Sequence, residues 1–128
     1  MKRIIVKGAP GSPYTRKMLS LLRYRRLPYN LIIGGLFDKG IMDTTYLPKS
    51  KVNLMPTFYF EDEDKKLEPM VDSTFILRRL EKLYSSRSVI PQNSALKFLD
   101  YLLEDFADEW LTKATFHYRW TYDEDIKK

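Results

Sequence analysis

The stretch Ala9-Pro10-Gly11-Ser12-Pro13-Tyr14-Thr15-Arg16 decides how the chain is read. It lies between a β-branched run, Ile4-Ile5-Val6, and a helical run from Lys17 to Arg26. It is therefore a strand-to-helix turn, with Ser12 at the N-cap and Pro13 at the first helical position. Orphan amide N–H groups and the positive end of the helix dipole meet at such a turn. It suits an anion, a phosphate or a thiolate.

Working outward, Arg3 to Lys7 reads as a buried strand ended by Gly8 and Pro10. The helix from Pro13 to about Arg26 places Tyr14, Met18, Leu21 and Leu22 on one apolar stripe. Arg23, Arg25 and Arg26 crowd its last turn, where cations suit the dipole. Leu27-Pro28 ends it, and Tyr29 to Ile33 forms a second strand. Strand, helix and strand at this spacing predict a βαβ unit with parallel strands.

Gly34 to Asn53 is the least regular part. It holds a turn at Asp38-Lys39-Gly40 and room for one or two helical turns. Thr57 to Phe60 and Leu67 to Val71 then read as a hairpin around the charged turn Glu61 to Lys66. Asp72 or Ser73 caps an amphipathic helix, Thr74 to Tyr84, whose stripe is Ile76, Leu80, Leu83 and Tyr84. Residues 86–93 read as a linker between a domain at 1–85 and the beginning of a helical one at 94–128. A single helix from Ser94 to at least Thr115 would span roughly 33 Å. Its stripe of Leu99, Leu103, Phe106, Trp110 and Ala114, and the aromatic run Phe116 to Tyr122, call for partners outside this segment.

Composition removes several chemistries. With no cysteine there are no disulfides, thiolate metal sites or cysteine nucleophiles. His117 is the one histidine, which excludes a multi-histidine metal site. No apolar run approaches the roughly 20 residues of a membrane span. The run after Met1-Lys2-Arg3 is too short for a signal peptide, so a cytoplasmic protein is expected. The net charge of +5 is concentrated before Asp38, the first acid. Aromatic and basic residues do not interleave as on a nucleic-acid platform, so nucleic acid is not the expected partner.

The order β-α-β, then β-β-α, with Pro56 directly before the third strand, is that of a thioredoxin-like domain. Such folds carry a cis peptide at that proline. In these terms the chain resembles a glutathione transferase. Ser12-Pro13-Tyr14-Thr15 resembles the Cys-Pro-Tyr-Cys of glutaredoxins with both cysteines replaced by hydroxyl residues. Ser12 precedes Arg16 by four residues, as the catalytic serine of serine-type transferases precedes an arginine. Met55-Pro56 resembles the family's Val-Pro, and Asp72-Ser73 its Glu/Gln-Ser pair. Ser50-Lys51 stands where the family usually carries Asn-Pro.

The resemblance implies an α/β, thioredoxin-like (β-α-β-α-β-β-α) domain followed by the first helix of an incomplete, truncated all-helical domain. It implies glutathione as co-substrate, with no metal, and an unidentified electrophile. Ser12 would stabilise the thiolate, and the Met55 backbone, turned toward it by a cis Pro56, would pair with the peptide. The Ser73 hydroxyl would hold the γ-glutamyl carboxylate and Asp72 the ammonium. Lys51 or Lys49 would reach the glycyl carboxylate, and Tyr14 is a minor candidate for contact. A homodimer is implied as well. The alternative on the same fold is a non-catalytic interaction module.

Overall fold

The computed structural model describes residues 4–34 and 44–127. The chain divides into two units, Met1–Ser88 and Val89–Lys128.

In the first unit, β1 (Ile4–Gly8), α1 (Pro13–Tyr24) and β2 (Tyr29–Ile33) form the expected βαβ unit. The two strands are parallel, with Ile4 opposite Tyr29 and Gly8 opposite Ile33. β3 (Thr57–Glu61) runs antiparallel to β1, and β4 (Leu67–Met70) antiparallel to β3, so the sheet order is β2-β1-β3-β4. α2 (Ser73–Leu83) follows. This mixed four-stranded sheet with its two helices is a thioredoxin-like α/β fold. Residues 44–53 contain no helix. The Asp38-Lys39-Gly40 turn, and any helical turn within 35–43, fall outside the described residues.

The strands alternate between two apolar clusters, as a period of two requires. Ile4, Val6, Phe58 and Phe60 meet Met18, Leu19 and Leu22 of α1 and Ile76 and Leu80 of α2. On the opposite face Ile5, Ile32 and Tyr59 pack with Leu47.

The buried stripe of α1 is Thr15, Met18, Leu19 and Leu22: Met18 and Leu22 are those expected, Leu21 packs partly buried against the core, and Thr15 takes the place expected of Tyr14. Tyr14 is half-buried and lies outside the core cluster. The reason is steric. A Cβ built on Gly8 would come within 2.6 Å of Thr15 Cγ2, so the first turn of α1 abuts β1 with only a small side chain between them. Leu83 is likewise 51% exposed, whereas Tyr84 packs against the core.

In the second unit the helix does not run unbroken as one α-helix. α3 (Ser94–Asp105) passes into a π-helical segment, Phe106–Leu111, and then α4 (Thr112–Thr121), with α5 (Asp123–Ile126) after it. The aromatic run is therefore helical as far as Thr121. Among the described residues no helix is long and apolar enough to cross a membrane.

Candidate functional site

Strand register collects the candidate residues at one end of the sheet. β1 ends at Gly8 and feeds the turn that reaches Ser12. Thr57, the first residue of β3, pairs with Lys7, which puts Met55 and Pro56 beside the end of β1. Met70, the last residue of β4, pairs with Phe58, so Asp72 and Ser73 emerge at that same end. Three segments far apart in sequence thus converge beside the N-terminus of α1.

Ser12 caps α1 with extended backbone. Its Oγ accepts from Thr15 N–H at 3.3 Å, and Arg16 N–H donates to its carbonyl at 3.0 Å. The side chain is half-buried, and its own hydroxyl hydrogen has no acceptor among the described residues. Capping therefore uses the oxygen and leaves the O–H as a donor. No acidic residue stands in the first turn of α1 or of α2. The positive end of the α1 dipole thus faces no carboxylate from its own first turn, whereas that of α2 is capped by the Asp72 carboxylate.

The Met55–Pro56 peptide bond is cis; Met55 is half-buried and Pro56 buried. Thr57 Oγ1 donates to Leu54 O at 2.8 Å, tying the segment before the proline to the strand after it.

Asp72 is the N-cap of α2, at φ 76° and ψ 113°, a backbone region that non-glycine residues rarely occupy. Its Oδ1 accepts from Thr74 N–H at 3.0 Å and Phe75 N–H at 3.4 Å. Asp72 is exposed, and Oδ2 has no partner among the described residues. Ser73 is buried at 6% exposure. Lys17 Nζ of α1 donates to Ser73 Oγ at 3.2 Å, across 56 positions of sequence.

Lys17 is a contact that sequence reasoning missed. On a helical wheel it is a polar residue beside the apolar stripe, and nothing local marks its partner. The two loop lysines separate in the structure. Lys49 lines a cleft of about 510 Å³ with Lys7, Thr57 and Tyr59, whereas Lys51 is exposed and does not line it. Burial, and secondarily the Tyr46 phenol, pushes the Tyr59 phenol above its ordinary 10.0. Among the described residues no cluster of His, Cys, Asp or Glu is placed to hold a metal.

Residues 7–88 match the family model for the glutathione S-transferase N-terminal domain. The chain belongs to that family. No curated protein matches it. Among solved structures it resembles a Methylobacterium radiotolerans glutathione S-transferase in complex with glutathione sulfonate, with a TM-score of 0.72 at 20% identity. That match covers 95% of this chain and 55% of the other. Glutathione transferase Omega 1C from Trametes versicolor matches with a TM-score of 0.72 at 14% identity, over 99% of this chain and 57% of that one. A Burkholderia glutathione transferase homologue with bound glutathione gives 0.64 at 14%, over 87% and 57%. The chain spans about half the length of these structures, and at such identities the likeness speaks to the fold.

Proposed function

We propose that this chain binds glutathione at the convergent end of the sheet and activates its thiol for attack on an electrophile. The observation that carries the reading is the orientation of Ser12: its oxygen serves the helix cap while its O–H remains a donor. A thiol of pKa about 8.5 is mostly protonated at neutral pH, and only the thiolate is nucleophilic. One hydrogen bond to sulfur, in the field of a helix N-terminus, favours the charged form. Lowering the pKa by one to two units stabilises the thiolate by roughly 1.4–2.7 kcal/mol. The proton passes to solvent, and the thiolate's electron pair forms the bond to the electrophile. The electrophile's leaving group departs with the bonding pair or, at a conjugated double bond, the π bond opens and takes a proton from solvent.

In this reading the backbone of Met55, held beside Pro56, pairs with the extended peptide as an added strand would. Ser73 and the start of α2 take the γ-glutamyl carboxylate, and Asp72 Oδ2 takes the ammonium. Lys51, exposed, and Tyr14, half-buried, are minor candidates for ligand contact. Two glutathione transferase structures that resemble this chain, one with glutathione sulfonate and one with glutathione, support the ligand class. The reading includes a homodimer in the cytoplasm. The dimer is supported by the exposed Phe98, Leu103, Phe106 and Trp110 of the second unit, which a second copy would cover.

Thermal unfolding with and without glutathione tests it. At 100-fold above the dissociation constant the ligand should stabilise the fold by about 2.7 kcal/mol. No shift at millimolar glutathione would overturn the reading and favour a non-catalytic interaction module.

A further inference from the structure

We propose that the cleft on the sheet face turned away from α1 and α2 is a second binding site, for the phosphate monoester of a small organic molecule. Lys7 and Lys49 supply its charged contacts, and the phenol of Tyr59 supplies a neutral donor. The site is independent of the glutathione reading above.

Alternation along the strands separates this cleft from the candidate glutathione site. Ile4, Val6, Phe58 and Phe60 face the two helices, while Ile5 and Tyr59 lie on the other side with Ile32 and Leu47. A period of two groups Lys7 with Ile5 and Thr57 with Tyr59. Gly8 marks the change of side, since a Cβ built there would run into Thr15 of α1. Lys7 pairs with Thr57 and Ile5 with Tyr59, so Lys7 and Tyr59 are diagonal neighbours about 7–8 Å apart on one face. None of Ser12, Met55, Pro56, Asp72 and Ser73 lines the cleft.

The lining is basic and uncompensated. Lys7 is half-buried, and neither its ammonium nor that of the exposed Lys49 has an ion pair or hydrogen bond among the described residues. Among those residues no Asp or Glu lines the cleft. Lysine is seldom withdrawn from water without a partner. Two ammonium groups in one cleft repel each other, and a doubly charged anion relieves both. A phosphate monoester carries a charge of about −1.5 to −2 at pH 7, where a carboxylate carries one. Tyr59 is only 4% exposed, and its hydroxyl has no hydrogen-bond partner among the described residues. Burial holds that phenol above its ordinary 10.0, so it remains a donor at neutral pH. The volume of about 510 Å³ exceeds what a bare phosphate needs and falls in the range of small-molecule sites, about 300–1,000 Å³. Leu47 and Pro48 give the organic part an apolar wall.

The competing role for Lys7 is a solvated lysine at the end of a strand. Calorimetric titration of the full chain separates the two, using phenyl phosphate, inorganic phosphate and phenyl sulfate, which has the same shape and a single charge. Phenyl phosphate should bind about tenfold or more tightly than either of the others. Lys7→Met should weaken it by about ten- to a hundredfold, as a charge-assisted hydrogen bond implies. Lys49→Met should weaken it by about two- to fivefold, since that residue is exposed. Tyr59→Phe should weaken it by about two- to tenfold. Saturating glutathione should leave its affinity unchanged. Equal binding of phenyl phosphate and phenyl sulfate would overturn the dianion, and equal binding of inorganic phosphate would overturn the organic part. Displacement by glutathione, unchanged affinity in Lys7→Met, or no binding at millimolar phenyl phosphate would overturn the site itself. Should Lys7→Met not fold, Lys49→Met and the three titrations of wild type decide the matter.

Discussion

Glu81 Oε1 of α2 lies 2.7 Å from Nη1 of Arg25, whose side chain at the end of α1 is completely buried. Arg25 Nη2 also donates to the carbonyls of Tyr84 and of Ser86, the latter at 3.2 Å. Ser88 Oγ donates to the other oxygen of Glu81 at 2.6 Å. Lys17 and Ser73 form the equivalent tie about 12 Å back along both helices. The two ties hold α1 and α2 in parallel register, which sets the start of α2 against the second turn of α1. The position of Ser73, and with it one corner of the candidate site, depends on this register.

Removing one partner of a buried ion pair leaves an uncompensated charge and typically costs about 3–5 kcal/mol. Glu81→Gln should therefore lower the stability of the first unit by about 3 kcal/mol. The double replacement Arg25→Met with Glu81→Leu should recover much of that loss. Urea unfolding measures both. A loss below about 1 kcal/mol for Glu81→Gln would mean that the carbonyls of Tyr84 and Ser86 suffice to hold the guanidinium.

Gly8 permits the close approach that seats Ser12. An added Cβ would meet Thr15 Cγ2 at 2.6 Å and Oγ1 at 2.8 Å, and Thr15 is buried and stiff about χ1. Gly8→Ala should cost about 1–3 kcal/mol through overpacking. Adding Thr15→Ala should restore part of it, because the clash is with that side chain alone. Additive losses in the double variant would show that the strain lies in the backbone instead.

Alkaline stability should carry the mark of Tyr59. Its folded-state pKa is raised above the ordinary 10.0, chiefly by burial, so the folded state holds the phenolic proton more tightly than the unfolded chain. The resulting stability is complete below pH 10 and is lost as pH rises through the folded value. Tyr84 is raised by burial in the same direction. Tyr59→Phe should therefore show a shallower loss of stability above pH 10 than wild type. Superimposable alkaline profiles would contradict the assignment.

Much of this architecture is legible in residue order. The β-branched run before Gly8 and the Leu27-Pro28 break locate β1, α1 and β2, and Asp72 stands where a helix cap is found. The caps at Ser12 and Asp72 and the proline before β3, from which the candidate site is drawn, are legible for the same reason, being local features. What escapes a local reading depends on packing between distant elements. An arginine in a helix's last turn looks solvated until the register with α2 buries it against Glu81. Thr15 displaces Tyr14 from the core because the gap to Gly8 admits only a small side chain. The passage of α3 into a π-helical turn at Phe106 leaves no mark in the hydrophobic pattern, which runs on through it.

The state of the thiol in bound glutathione bears most directly on the role of Ser12. Thiolate absorbance followed against pH should place the bound thiol about one to two units below 8.5 in wild type. Ser12→Ala should return it toward the free value, with glutathione still bound. It should also cost about 1 kcal/mol of stability for the lost cap. A bound thiol that titrates identically in wild type and Ser12→Ala would reduce Ser12 to a helix cap and contradict the proposed activation.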